Sequence, residues 1–157
     1  MKTTPPHTAE IIAPPPVLYV SSLALAFGAN AIAPRPIALP PLALHIAGAI
    51  FFVLSGVLAR WAFVAMKKGG TSANPRKPSE ALTTTGPFKL SRNPIYVAMT
   101  GLYFGFALLG NSLWPFLFLV PLLIAMHWGV VLREERYLTQ RFGEAYVAYK
   151  SGTRRWL

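Results

Sequence analysis

The chain has 157 residues, of which 54% are hydrophobic and 13% are charged, and its mean hydropathy is +0.44. This is too much apolar surface for a soluble domain of this size, so the composition predicts one membrane domain spanning residues 1–157. The formal net charge is +10, but almost all basic residues lie at 67–92 and 133–155, beside apolar segments. That placement favours a topology signal over nucleic-acid binding. The chain has no cysteine, which excludes disulfides, thiolate metal ligands and a cysteine nucleophile.

The N-terminal residues 1–16 are rich in proline and threonine and predict a flexible or surface-lying tail. The first apolar segment, residues 17–33, is close to the lower limit of roughly 17 residues for a membrane span. Residues 29–31 have the small-x-small form of a signal-peptide cleavage site. The preceding residues lack the basic character of a signal peptide, so we expect the segment to remain as the first span.

Three further apolar segments lie at residues 39–66, 94–109 and 113–132. The second is longer than the roughly 20 residues that cross a bilayer core, so it should tilt or project from the membrane. The third begins at Pro94, a residue suited to the first turn of a helix. The fourth contains Pro115 and Pro121 and should be kinked. The sequence therefore predicts an all-α integral membrane protein with four transmembrane helices.

Orientation follows from the lysines and arginines. They are concentrated between the second and third spans and in the C-terminal tail, whereas the two opposite turns contain only Arg35. The positive-inside rule therefore places both termini in the cytosol, and we expect the bacterial inner membrane. Apolar residues follow a helical spacing over 133–150, namely Leu138, Phe142, Ala145, Tyr146 and Tyr149. This pattern predicts a C-terminal amphipathic cytosolic helix.

Two polar motifs abut the third and fourth spans. The first reads Gly-Pro-Phe at 86–88 and Ser-Arg-Asn-Pro-Ile-Tyr at 91–96. The second reads Arg-Glu-Glu-Arg-Tyr-Leu at 133–138 and Arg-Phe-Gly-Glu-Ala-Tyr at 141–146. Polar clusters are costly beside membrane helices, so they indicate a site. Because the third and fourth spans are antiparallel neighbours across a short turn, we expect both motifs to meet at the cytosolic face and share a pocket.

The adjacent carboxylates of Glu134 and Glu135 support this interpretation independently. Two acidic side chains at the membrane boundary of a basic protein repel each other and gain little from anionic lipid. They therefore indicate an ion pair with Arg92, or contact with the amine or hydroxyl groups of a ligand.

In order and spacing, the two motifs resemble the isoprenylcysteine carboxyl methyltransferase and phospholipid methyltransferase superfamily of integral membrane enzymes. The resemblance covers residues 86–149 and implies methyl transfer from S-adenosylmethionine. The cofactor-binding residues that it implies are Gly86, Pro87, Arg92, Asn93, Pro94, Tyr96, Glu134, Glu135 and Tyr146. The catalytic residues that it implies are Arg92, Glu135 and Arg154, which would hold the acceptor or take its proton. We predict no metal site.

Asn93 stands where this superfamily usually has histidine, and Ala98 stands where it usually has glycine. An asparagine side chain forms hydrogen bonds but does not titrate near neutral pH. Glycines remain nearby on the third span at Gly101 and Gly105, where they permit close approach of a helix or a cofactor.

The acceptor is expected to be lipophilic and to enter from the bilayer. A prenylcysteine-like carboxylate, a lipid amine and a small hydrophobic molecule all remain open, as do O-, N- and S-methylation and the oligomeric state. One alternative is a non-enzymatic four-helix membrane scaffold, including a relative that Asn93 has made inactive. A small transporter is less favoured, because the four spans contain no acidic residue to couple ion movement to a substrate.

Overall fold

The computed structural model describes residues 9–71 and 81–157, and these residues form helices without any strand. The helices are α1 (Pro15–Ile32), α2 (Pro41–Lys68), α3 (Pro94–Leu109), α4 (Trp114–Met126), α5 (Leu132–Phe142) and α6 (Glu144–Gly152). A short 3-10 turn covers Gly86–Lys89, and a π-helical segment covers His127–Val131. The predicted all-helical class is confirmed for the part of the chain that the structure describes. Residues 1–8 of the predicted tail lie outside the described residues.

Three helical segments are long and apolar enough to cross a membrane, namely Pro15–Ile32, Pro41–Lys68 and Trp114–Phe142. The last comprises α4, the π-helical segment and α5. Helix α3 is apolar but has only 16 residues, which extend over about 24 Å at 1.5 Å per residue. That length is shorter than a bilayer core of about 30 Å.

Proline starts the four apolar helices. Each has proline in its first turn, and none has a side-chain hydrogen bond at its N-cap. Proline is suited to this position because the first N–H groups of a helix have no partner within it. In α3 the starting proline is Pro94, so the first polar motif leads directly into the helix and its Asn93 becomes the N-cap residue.

Helices α2 and α3 form the most extensive helix pair. A Cβ atom added at Gly105 would lie 2.6 Å from the Phe52 ring and 3.3 Å from the carbonyl oxygen of Gly48. A Cβ atom at Gly101 would clash with the hydroxyl of Ser55. These glycines therefore allow the two helices to approach closely, since small residues let helix backbones meet. Helix α1 packs mainly on α4, whereas α3 and α4 have little contact with each other.

Polar side chains join α1 to α3 within the apolar bundle. The hydroxyls of Tyr19 and Thr100 lie 2.8 Å apart, and those of Ser22 and Tyr103 lie 3.0 Å apart. Tyr19 and Tyr103 are buried in the main apolar cluster together with Met126. These contacts satisfy polar groups that would otherwise be costly to bury.

The predicted helix over residues 133–150 is divided in two. Its first part, α5, continues from α4 through the π-helical segment, and it ends at Gly143. Gly143 has a φ of 54°, a conformation that glycine adopts without the steric cost other residues incur. Helix α6 then begins at Glu144. The helical spacing of the apolar residues continues across this break, so it did not reveal the position of the turn.

Candidate active site

A cavity of about 750 Å³ lies at one end of the bundle, where α1 and α3 begin and α2 ends. We call this region the motif end. Both polar motifs contribute to the cavity wall, and its volume is within the range of about 300–1,000 Å³ typical of ligand pockets. The predicted cofactor-binding residues in this lining are Arg92, Asn93, Pro94, Tyr96, Glu134, Glu135 and Tyr146. The structure therefore brings the two motifs together.

Glu135 is the centre of a charge cluster at this cavity. Its carboxylate accepts two hydrogen bonds from Arg155, one from Nε at 2.7 Å and one from Nη2 at 3.0 Å. Arg92 Nη1 lies 2.9 Å and Lys150 Nζ lies 3.4 Å from the same carboxylate. Glu135 is buried, with 5% of its surface exposed, so these cations compensate a charge that water cannot reach. The hydrogen bond with Glu135 raises the pKa of the Arg155 guanidinium above its usual value.

Glu134 has a different environment from its neighbour. Its carboxylate Oε1 accepts a hydrogen bond of 2.7 Å from the phenol of Tyr96. Tyr96 comes from the first motif and Glu134 from the second, so this contact joins them directly. Successive residues of an α-helix are about 100° apart, which is why the two adjacent carboxylates engage different partners. Glu134 is half-buried and lines the cavity.

Two nitrogen atoms of the Arg92 guanidinium lack a hydrogen-bond acceptor among the described residues. Its side chain is 9% exposed, and it lies in the cavity wall. Although Nη1 is close to Glu135, neither Nε nor Nη1 has a partner with hydrogen-bond geometry among the described residues. A buried guanidinium with unsatisfied donors is costly, and the cavity offers a place where an anionic ligand would satisfy it.

The C-terminal tail, residues 153–157, folds back onto the first motif. The backbone N–H of Arg92 donates to the carbonyl of Arg154 at 2.8 Å. The Asn93 carboxamide Nδ2 donates to the carbonyl of Arg155 at 2.9 Å. In helix α6, the phenol of Tyr149 donates to the carbonyl of Phe88 at 2.7 Å. Burial raises the pKa of Tyr149 to about 12, so this phenol remains a donor.

Several residues that were predicted to belong to the site do not line the cavity. Gly86 and Pro87 are absent from the described lining of the cavity. Gly86 has a φ of 62°, and a Cβ atom added there would lie 3.2 Å from the indole nitrogen of Trp61, so this turn packs against α2. Arg154 is exposed and contributes its backbone carbonyl to the contact with Arg92. The cofactor or acceptor roles of these residues stay predictions.

Sequence reasoning missed Arg155 and Lys150 as partners of Glu135. The basic C-terminal segment was a visible signal, but it did not indicate which cation would reach the carboxylate. Tyr149 was predicted as an apolar position of a helix and proves to line the cavity as well.

A second, apolar depression of about 660 Å³ lies between the α2–α3 pair and α4. We call it the lateral groove. It follows from the slight contact between α3 and α4, and the C-terminal tail closes part of it. Its walls include Phe51, Phe104, Ile124, Trp128, Trp156 and Leu157.

The fold and the site define a helical membrane protein with a ligand-sized cavity at one end of its bundle, mostly apolar in lining but with charged groups from both motifs. The family model for phospholipid methyltransferases matches residues 43–145, a range that contains the first polar motif and all of the second except its last residue. The chain therefore belongs to the phospholipid methyltransferase family, and the resemblance seen in its motifs is confirmed. Comparison with curated proteins gives no match, and neither does comparison with solved structures. The matched range ends before Tyr146, Lys150 and Arg155.

Proposed function

We propose that this chain transfers a methyl group from S-adenosylmethionine to a lipophilic acceptor at the cytosolic face of a membrane. The observation that carries the proposal is the cavity at the motif end, where both motifs of a methyltransferase family line one ligand-sized space. S-adenosylmethionine, when bound, supplies an electrophilic methyl group on a sulfonium. The protein then has to bind the cofactor and the acceptor, orient them for transfer and exclude water. The reaction needs no covalent protein intermediate.

The chemistry of the cavity wall fits the groups of this cofactor. Glu134 offers a carboxylate to the ribose hydroxyls or the ammonium group, and Arg92 has buried donors suited to the amino-acid carboxylate. Tyr146 and Tyr149 offer aromatic surfaces to the adenine or the sulfonium. The apolar side chains of Phe63, Met66 and Leu138 complete the wall.

Glu134 and Glu135 have separate roles in this proposal. Both oxygens of Glu135 already engage cations, so Glu135 holds Arg92 in place at the cavity wall. Glu134, whose described contact is with Tyr96, faces the cofactor and is the nearest candidate to accept a proton from an amine or thiol acceptor. A carboxylate acceptor would instead be held by Arg92 or Arg154.

The acceptor would enter through the lateral groove. Helix α3 lies between the two spaces, since Tyr96 lines the cavity and its neighbour Val97 lines the groove. The groove is apolar and suits the hydrocarbon part of a lipid-linked molecule. A prenylcysteine-like carboxylate, a lipid amine and a small hydrophobic molecule all fit this chemistry. A soluble acceptor would give no reason to build the site on membrane helices.

Calorimetry with S-adenosylhomocysteine tests the cofactor assignment on detergent-solubilised protein. The wild-type chain should bind, and Glu134→Gln should weaken binding roughly tenfold or more, since a charged hydrogen bond is worth about 1.5–3 kcal/mol. Glu144→Gln, at an exposed position on α6, is the matched control and should bind like the wild type. Absence of wild-type binding would instead favour a membrane scaffold.

The same protein then tests the acceptor. Membranes incubated with methyl-labelled S-adenosylmethionine and extracted with organic solvent should show label in the organic phase, and less of it with Glu134→Gln. Label that appears only in water-soluble products would refute a lipophilic acceptor.

A further inference from the structure

The hydrogen bond between Asn93 and the C-terminal tail gives Asn93 a structural role that does not require a titratable side chain. We infer that Asn93 is a positioning residue, whose carboxamide holds the tail on the first motif and so delivers the Arg155 guanidinium to Glu135. The tail contact is independent of the proposed function. Only its effect on cofactor binding rests on that function.

Three hydrogen bonds attach the tail to the first motif. The backbone N–H of Arg92 donates to Arg154, and the Asn93 carboxamide and the Ser91 hydroxyl donate to the carbonyl of Arg155, at 2.9 Å and 3.4 Å. Asn93 makes the shorter of the two side-chain contacts with Arg155. These contacts fix the backbone carbonyl of Arg155, and the side chain of the same residue reaches Glu135.

Such an attachment matters because residues 153–157 lie outside every helix, so helical hydrogen bonds do not order them. Ordering a long arginine side chain also has an entropic cost of about 2 kcal/mol. The Arg155 side chain is still 31% exposed, so burial alone does not fix it. With its backbone held by Asn93, less freedom is lost when the guanidinium forms its two hydrogen bonds with Glu135.

The tail also connects the two spaces of the molecule. Arg155 contacts Glu135, which lines the cavity, whereas Trp156 and Leu157 line the lateral groove. Release of the tail would therefore remove the Arg155 guanidinium from Glu135 and open one wall of the groove at the same time. Asn93 is the N-cap residue of α3 and lines the cavity, and through the Arg155 carbonyl its loss would affect both spaces.

The chemistry of the contact predicts which substitutions preserve it. Asn93 acts as an N–H donor, so Asn93→His, whose imidazole also carries an N–H, should retain the tail. Asn93→Asp has a similar shape but is an acceptor when ionised, and it would face the Arg155 carbonyl unfavourably. Asn93→Ala has no donor. A histidine at this position would thus act as a hydrogen-bond donor in either protonation state.

A spin label on Leu157→Cys measures the attachment directly, because the natural chain has no cysteine and Leu157 is exposed. The label should be restricted with Asn93 or Asn93→His and mobile with Asn93→Ala or Asn93→Asp. Asn30→Ala is the control, since Asn30 accepts its hydrogen bonds at the opposite end of the bundle. Equal label mobility in all variants would overturn the tail attachment.

The affinity for S-adenosylhomocysteine, measured on the unlabelled variants, shows whether the attached tail also positions Arg155 for cofactor binding. Asn93→Ala and Asn93→Asp should weaken binding roughly two- to tenfold, the range expected for one neutral hydrogen bond, and Asn93→His should recover most of the loss. A mobile tail with unchanged affinity would refute the positioning role. If the wild type does not bind, the proposed function fails while the spin-label result still decides the attachment. If Asn93→Ala does not fold, the Asp and His variants decide both questions.

Discussion

At the scale of single residues, the contrast between Glu134 and Glu135 organises the site. The adjacent pair was predicted to contact a cofactor or an arginine, and the structure assigns the arginine contact to Glu135. Three cations, Arg92, Lys150 and Arg155, surround this one buried carboxylate. The cluster is therefore cationic as a whole, which suits a wall that receives the carboxylate of a ligand.

Replacing Glu135 by glutamine should destabilise the protein. The change leaves Arg92, which is 9% exposed, without its countercharge, and breaking a buried ion pair in this way costs roughly 3 kcal/mol. Thermal unfolding in detergent measures the effect, with the exposed Glu144→Gln as its control. A melting temperature equal to that of the control would show that Arg92 does not depend on Glu135.

At the scale of helices, small residues decide which pairs pack closely. Gly105 meets Gly48 and Phe52 across the α2–α3 interface, where no room exists for a side chain. Gly56 lies on the same α2, but a Cβ atom added there would meet nothing within 4 Å. The same glycine-to-alanine substitution should therefore have opposite effects on stability at Gly105 and Gly56.

Gly105→Ala should destabilise the protein by about 1–3 kcal/mol, because the added methyl group overpacks the interface. Gly56→Ala should instead be neutral or stabilise by up to about 1 kcal/mol, since alanine is the better helix former. Chemical unfolding in mixed micelles compares the variants. Equal effects at the two positions would argue against a close α2–α3 interface.

The helices and the meeting of the two motifs were predictable from the sequence. Long apolar segments bounded by proline have strong local signals, and antiparallel helices joined by a short turn must return to the same end. The turn at Gly143 and the partnership of Arg155 with Glu135 were not predictable. The apolar spacing continues across Gly143, and the backbone carbonyls of the tail accept hydrogen bonds from donors about sixty residues away.

At the scale of the whole molecule, most of the described basic residues lie at the same end of the bundle as the cavity. Helix α2 ends with Lys67 and Lys68, and the Glu135 cluster lies at this motif end as well. The opposite end contains Arg35 between α1 and α2. This asymmetry is the basis of the proposed orientation, with four spans and both termini in the cytosol.

Single-cysteine labelling tests that orientation, and the natural chain provides a cysteine-free background. Ala38→Cys lies at the opposite end and Ser151→Cys on α6, and both positions are exposed. A membrane-impermeant maleimide added to intact cells should label Ala38→Cys, whereas Ser151→Cys should react only after the cells are permeabilised. The reverse pattern would contradict the orientation and the cytosolic site.

The π-helical segment has a consequence for the alignment of the second motif. The N–H of Leu132 donates to the carbonyl of His127, five residues earlier, so the turn contains one residue more than an α-helical turn. One residue corresponds to about 100° of rotation, the angle that separates Glu134 from Glu135. The extra residue therefore determines which carboxylate meets Tyr96 and which meets the arginines. The partner of each glutamate is thus set by the segment His127–Val131, which contains no residue of either motif.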